Sequence, residues 1–398
     1  MKELVLMGGG HSHAIALRLL GMLPLSGVRL TLITDVLHAP YSGMLPGHIS
    51  GFYDFETCHI NLLDLAKFAK ANLILDRAVG LDLSNQRVLC ERNSPVTFDW
   101  LSIDIGSTPA TMAIPGAAAY TIPAKPVPLF LAQWEKFLAA LQSDRAIPPD
   151  RPLRVGIVGG GAGGVELSLA IATRLETIFQ AKGLSAAQVE MHLFHRQPTL
   201  MAGYSARIGD RLCQLLTQRG IHLHLQESVS AVIPESEYPC DPNTWDLPKI
   251  LLCQSGLTVI CDRIFWVTHA TAPQWIQQTG LATDEQGFIL IDNTLRSVSH
   301  PEIFATGDIA NMIKNPRPKA GVFAVRQGKP LFDNLRRVSL GRLPVPFYPQ
   351  KRHLALIGTG KGEAVAVWGN FCVGPSTALW HWKDWLDRQF MEQFIGLG

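Results

Sequence analysis

Two glycine clusters carry the first chemical signal in the chain. Gly159, Gly161 and Gly164 follow the spacing Gly-x-Gly-x-x-Gly. In that pattern the first glycine makes a tight turn, the second lets backbone amides approach a pyrophosphate, and the third packs helix against strand. The phosphates then lie at the helix N-terminus. The earlier cluster, Gly8-Gly9-Gly10-His11-Ser12-His13, keeps the first two glycines but has His13 at the third. His13 then needs a wider helix-to-strand contact, or it meets a phosphate itself, with His11 as a second candidate ligand.

A carboxylate at the end of the second strand of such a unit usually binds the adenosine ribose, and Asp35 stands at or next to that point after the first cluster. After the second cluster the same place is held by His195 and Arg196. An imidazole and a guanidinium can receive a 2′-phosphate that a carboxylate would repel. NADPH is therefore expected to serve at least as well as NADH. An ordinary solvated cation is the plain alternative for Arg196.

The elements that must hold these residues are legible as two β-α-β units. Apolar Leu4 to Met7 reads as a strand, Ala14 to Leu23 as a helix and Val28 to Thr34 as a second strand. The pattern returns as strand Arg154 to Val158, turn Gly159 to Gly164, helix Val165 to Gln180 and strand Val189 to Phe194. Proline-rich breaks at Pro123 to Pro128 and Ile147-Pro148-Pro149 separate the two, and Glu235 to Lys249 reads as a surface loop. The fold class is α/β, two Rossmann-type domains followed by a smaller C-terminal α+β domain that ends in an amphipathic helix.

Composition narrows the function further. With 398 residues, 47% hydrophobic, 17% charged and a net charge of +2, the chain is globular and offers no surface for a polyanion, so nucleic acid is not an expected partner. The seven cysteines are scattered without a Cys-x-x-Cys, which reads as reduced thiols inside a cell. A strand at the N-terminus leaves no room for a signal peptide, and no apolar run is long enough to span a bilayer. The expectation is a cytoplasmic protein, or one peripheral on the cytosolic face of a membrane.

Further along, Ile103-Asp104-Ile105-Gly106-Ser107-Thr108-Pro109 and His300-Pro301-Glu302-Ile303-Phe304-Ala305-Thr306-Gly307-Asp308 read as buried strands ending in glycine turns. With the two glycine motifs, in this order, they make the chain resemble the pyridine nucleotide-disulfide oxidoreductase superfamily over about residues 1 to 335. The resemblance implies FAD at Gly8, Gly10, Gly106, Gly307 and Asp308, to which the first glycine cluster and the strand end after it add His11, His13 and Asp35. It implies NADPH or NADH at Gly159, Gly161 and Gly164, to which their position at the end of the second strand adds His195 and Arg196. It also implies a discontinuous FAD-binding domain, 1–113 with 285–340, around an NAD(P)-binding domain, 114–284, and leaves 341–398 as an interface or membrane-association domain.

Within the superfamily the chain looks most like the type II NAD(P)H dehydrogenases, which pass electrons to a membrane quinone. The stretch Pro40-Tyr41-Ser42-Gly43-Met44-Leu45-Pro46-Gly47 looks closer still to the flavoprotein module fused to selenide-water dikinase in some organisms, and adds Ser42 and Gly43 to the flavin set. Glu166 matches a glutamate that the dehydrogenases use near nicotinamide and quinone for proton transfer; helix capping or packing is the plain alternative. The family's quinone-side helix carries glutamines where this chain has Val322 and Arg326, so Arg326 is instead a candidate to stabilise an anionic reduced flavin or acceptor. No cysteine pair follows the first glycine motif, which argues against disulfide reduction. Hydride transfer to flavin, then electron transfer to a bound acceptor, is the expected mechanism.

Near the C-terminus, Leu379, Trp382, Leu386, Phe390 and Phe394 recur at helical spacing, with His381, Lys383, Asp384, Arg388 and Glu392 on other faces. Such a stripe fits the parent domain, a homodimer or, given Trp380, Trp382 and Trp385, a membrane interface. The leading expectation is a FAD-dependent NAD(P)H:quinone oxidoreductase. The alternatives are a reductase for a soluble partner in selenium metabolism or electron carriage, and a FAD/NAD(P)H-binding redox sensor.

Overall fold

Alternation of short apolar strands with apolar-faced helices builds two parallel sheets. The computed structural model describes residues 1–109, 114–143, 145–148, 150–235, 247–268 and 270–397. Most of the expected surface loop from Glu235 to Lys249 lies outside them.

The first sheet contains β1 (Lys2–Met7), β2 (Val28–Thr34), β3 (Asn72–Leu75) and β4 (Trp100–Ile103), joined by Ile303–Ala305 from far downstream. Its order is Ile303–Ala305, β4, β1, β2, β3, with every pair parallel. Helix α1 (His11–Met22) leaves the glycine turn after β1 and turns Ala14, Ala16, Leu17 and Leu20 to the core. The strands read as near-continuous apolar runs because helices cover a parallel sheet on both faces.

The second sheet repeats the plan. β5 (Ile122–Pro123), β6 (Leu153–Val158), β7 (Val189–His195), β8 (Ile221–Leu225) and β9 (Arg263–Trp266) lie parallel in the order β5, β9, β6, β7, β8. Helix α2 (Ala162–Ala181) follows the turn after β6. Ala272, Ile276 and Leu281 pack into the core of the first unit, so the chain has returned there soon after β9 ends.

Helix α3 (Gly321–Ser339) lies against α1 with so little room that a Cβ on Gly328 would come within 2.6 Å of Ile15. An antiparallel sheet of β10 (Ala355–Gly358), β11 (Ala364–Trp368) and β12 (Phe371–Ser376) then leads into helix α4 (Thr377–Met391). This last piece bridges the two units: Trp380 and Met391 pack in the first core, Ile357, Val365 and Val367 in the second.

The inward face of α4 differs from the stripe expected from its sequence. Trp380, Lys383, Asp387 and Met391 are buried, while Trp382, Trp385 and Leu386 are exposed. Lys383 can turn inward because its ammonium donates to Asp387 Oδ2 at 2.6 Å and to the Gly43 carbonyl at 2.6 Å, which answers both charges inside the fold.

Candidate active site

The first glycine turn is shaped by a carboxylate. Gly8 adopts a positive φ of 98°, and a Cβ there would come within 2.3 Å of the Asp104 carbonyl oxygen. The Asp104 side chain, at the end of β4, accepts the N–H groups of Ser12 at 2.9 Å and His13 at 3.2 Å. It therefore caps the start of α1 from inside. Burial, reinforced by the nearby charge of Asp308, raises its carboxyl to about 7 against the opposing pull of the two amides.

His13 fills the third-glycine position with an inward ring. Its Nδ1 is 2.7 Å from the Gly8 carbonyl and its Nε2 is 2.8 Å from Ser102 Oγ. A carbonyl only accepts, so Nδ1 carries the proton and Nε2 takes the serine hydroxyl. Both ring nitrogens are spent within the fold, leaving neither for a phosphate, and burial lowers the imidazole to about 4. The second turn admits no such side chain: a Cβ on Gly164 would stand 1.7 Å from the Gly159 carbonyl oxygen.

His11 faces the other way, toward the loop Tyr41–Gly43. Its Nε2 accepts the Ser42 N–H at 3.3 Å and its ring meets Tyr41 edge-on. Burial lowers it to about 4, with Asp308 opposing and Lys125 assisting. Asp308 itself is held by Ser107 Oγ at 3.1 Å and by an ion pair with Lys125. Gly307 donates its N–H to Gln327 Oε1 at 2.7 Å. Asp35 is exposed at the end of β2, with Arg77 at 3.6 Å. Gly106 has a positive φ of 73° and open space on its side-chain direction.

Arg326 stands apart from this cluster. It is exposed on α3, near His353, and the residue of that helix which turns toward Gly307 is its neighbour Gln327. A cation does exist deeper in the site: Lys319 donates to the Ala310 carbonyl at 2.6 Å and lies 3.9 Å from the ring centre of Phe288. Its burial lowers it to about 8.

In the second unit, Gly161 caps α2 and a Cβ there would meet nothing within 4 Å. The helix N-terminus is thus open beside it. His195 is turned back on the loop, where its Nδ1 accepts the Gly160 N–H at 3.1 Å, and Arg196 is exposed just beyond. Of the two residues expected at the ribose end, the arginine is the one presented outward.

The two units meet at Glu166. This carboxylate, in the first turns of α2, accepts the N–H of Gly358 from β10 at 2.7 Å. Burial raises it to about 7, opposed by Lys383 and the Gly358 amide and assisted by Asp387. Asp387 also faces Tyr41, whose phenol is pushed upward mainly by burial. One buried cluster therefore joins the Tyr41–Gly43 loop of the first unit, α2 of the second and α4.

Sequence reasoning missed Asp104, Lys125, Lys383 and Asp387. The signal for Asp104 was a charge closing an apolar strand just before Gly106. For the pair on α4 it was only the i, i+4 spacing, which surface helices share.

Comparison with known proteins gives this arrangement relatives. The family model for pyridine nucleotide-disulphide oxidoreductases matches residues 2–328. Ferroptosis suppressor protein 1 of Xenopus tropicalis is 21% identical over 94% of this chain and 90% of its own length. The NADH dehydrogenase-like protein YutJ of Bacillus subtilis is 21% identical over 90% of each chain. Among solved structures, the sulfide:quinone oxidoreductase of Aquifex aeolicus superposes with a TM-score of 0.76 at 16% identity, covering 100% of this chain and 92% of that one. NDH2 of Plasmodium falciparum, in complex with NADH, gives 0.74 at 15% identity, covering 99% and 97%. The last two likenesses concern the fold.

Proposed function

Because the chain belongs to the pyridine nucleotide-disulphide oxidoreductase family, we propose that it is a FAD-dependent NAD(P)H:acceptor oxidoreductase of the type II dehydrogenase kind, with a quinone as the favoured acceptor. The residues present fit both nucleotides. Gly8 and Gly10 form the first turn, Gly106 borders open space, and Asp308 is a fixed carboxylate suited to a ribityl hydroxyl. These residues, with Gly307, Ser42 and Gly43, would hold FAD. Gly159, Gly161 and Gly164, with Arg196 at the outer end, would hold the dinucleotide at the open N-terminus of α2. Bound there, FAD supplies the two-electron chemistry that links a nicotinamide donor to an acceptor.

The observation that carries the reading is Glu166. A buried carboxyl at about 7 can hold a proton near neutral pH and give it up during turnover, and this one sits where both units and α4 converge. Lys125 and Lys319 add positive charge to the wall beside Asp308, which favours a bound anion.

Exposed Trp382, Trp385 and Leu386 on α4, with Phe371 and Val373 on β12, support a peripheral membrane contact for a lipid-soluble acceptor. No described helix is long and apolar enough to cross a membrane. The exposed cation Arg326 favours a second reading, in which an anionic soluble partner takes the electrons.

Anaerobic mixing of the yellow holoprotein with NADPH or NADH, followed by a quinone analogue, tests the proposal. Bleaching with rapid recovery on quinone is expected. Bleaching without recovery moves the acceptor to a soluble partner, and failure of both dinucleotides to bleach the flavin overturns the oxidoreductase reading.

A further inference from the structure

The N-terminus of α1 already holds a carboxylate. In a dinucleotide-binding turn the first amides of the helix are the groups that meet the pyrophosphate. Here two of them, Ser12 N–H and His13 N–H, are taken by Asp104. The carboxylate is wedged in from β4, only 3% of the residue remaining exposed. A Cβ on Gly10 would approach its carboxyl carbon to 2.2 Å, and one on Gly307 its Oδ1 to 2.3 Å. Both glycines of the flavin set are therefore small partly to make room for this acid.

The groups facing Asp104 do not neutralise it. From α1 come His13 and, turned toward the Tyr41–Gly43 loop, His11, both lowered to about 4 and so uncharged at neutral pH. From the turn after Ile303–Ala305 comes Asp308, a like charge, and Lys125, which reaches it from the segment just after β5, is committed to Asp308. From α3 comes the Gln327 amide, engaged by Gly307 N–H, and the Ala324 carbonyl, engaged by Ser12 Oγ at 2.7 Å. A pyrophosphate would bring two further negative charges to the same helix end.

Resting on the flavin reading above, we propose that FAD binding is coupled to uptake of one proton by Asp104, so that a neutral carboxyl stands beside the pyrophosphate. The neutral acid keeps one oxygen as acceptor for the helix amides and gains an O–H that can donate to a phosphate oxygen. The proton comes from solvent. Asp104 is poised for this, since its carboxyl lies at about 7 before any phosphate arrives. Added negative charge raises it further. Because the loaded state holds one proton more, the dissociation constant for FAD rises about tenfold per pH unit above the carboxyl's unloaded midpoint.

The test is the FAD affinity of the full-length chain, followed by flavin fluorescence from pH 6 to 9, together with calorimetry at pH 8 in two buffers of different ionisation enthalpy. Wild type is expected to weaken about fiftyfold between pH 7 and 9 and to take up about one proton per FAD. Lys319, at about 8, titrates in the same window and with the same sign, so Asp104→Asn is the discriminating variant. It should bind FAD at pH 8.5 within about fivefold of wild type at pH 6, the remainder being Lys319, and show no uptake assignable to Asp104. Undiminished uptake in Asp104→Asn, or a pH-independent affinity in wild type, overturns the proposal. Should the variant not fold, zero proton uptake by wild type at pH 8 overturns it alone. Absence of FAD binding at every pH instead sinks the flavin reading itself.

Discussion

Lys383 on α4 donates to the carbonyl of Gly43 at 2.6 Å, a bond that spans 340 positions of sequence. Its other partner, Asp387, lies one turn on, and the side chains of both are about nine-tenths buried. Lys383→Met is therefore expected to strand a buried carboxylate at a cost of about 3–5 kcal/mol. Replacing Asp387 by Leu in the same chain should restore most of the loss. Denaturant midpoints of the single and double variants check this.

Glu166 is expected to impose a pH dependence on turnover. A carboxyl at about 7 is protonated below that value and can donate there, so acceptor reduction should slow as pH rises through about 7. Glu166→Gln is expected to lower the rate by roughly 10²-fold and to flatten the profile, with FAD content unchanged. Steady-state rates from pH 5.5 to 8.5 decide it.

The same residue leaves a mark on stability. Its carboxyl moves from 4.5 to about 7 on folding, so between those values the folded state binds more protons than the unfolded one. Stability from this source is present at low pH and declines as pH rises across that window. Relative to wild type, Glu166→Gln should gain up to about 3 kcal/mol between pH 4.5 and 8. Unfolding curves of both proteins at the two pH values measure the difference.

Two glycines of the second turn separate folding from binding. Gly161 has a φ of −77° and open space around it, so Gly161→Ala should leave the melting temperature unchanged while raising KM for the dinucleotide. Gly164→Ala meets the Gly159 carbonyl at 1.7 Å and should damage both. Melting curves and nicotinamide titrations distinguish the two outcomes.

For the exposed face of α4, the triple change of Trp382, Trp385 and Leu386 to Ala should cut sedimentation with anionic vesicles by roughly tenfold or more. Activity with a water-soluble quinone should be unaltered. Equal sedimentation of the variant and wild type would remove the membrane contact.

The parallel strands and the helix behind each glycine turn were readable because apolar runs and glycine spacing are local signals. Helix Val165 to Gln180 is observed as Ala162–Ala181, and strand Arg154 to Val158 as Leu153–Val158, whereas β12 escaped notice. Its residues Phe371, Val373 and Pro375 face outward, so no buried alternation marks it. The site was less legible than the fold. Periodicity assigns a lysine to solvent, yet Lys383 turns inward because its acceptor, Gly43, arrives from the far end of the sequence. His13 was equally ambiguous, since only the positions of Gly8 and Ser102 decide where its ring points.

Helix α4 also has a temporal meaning. Both glycine-turn units precede Thr377 in the chain, so Lys383 and Asp387 are among the last residues to be made. The cluster around Glu166 is completed only when α4 docks. A chain that ends before the helix lacks one wall around its acidic centre.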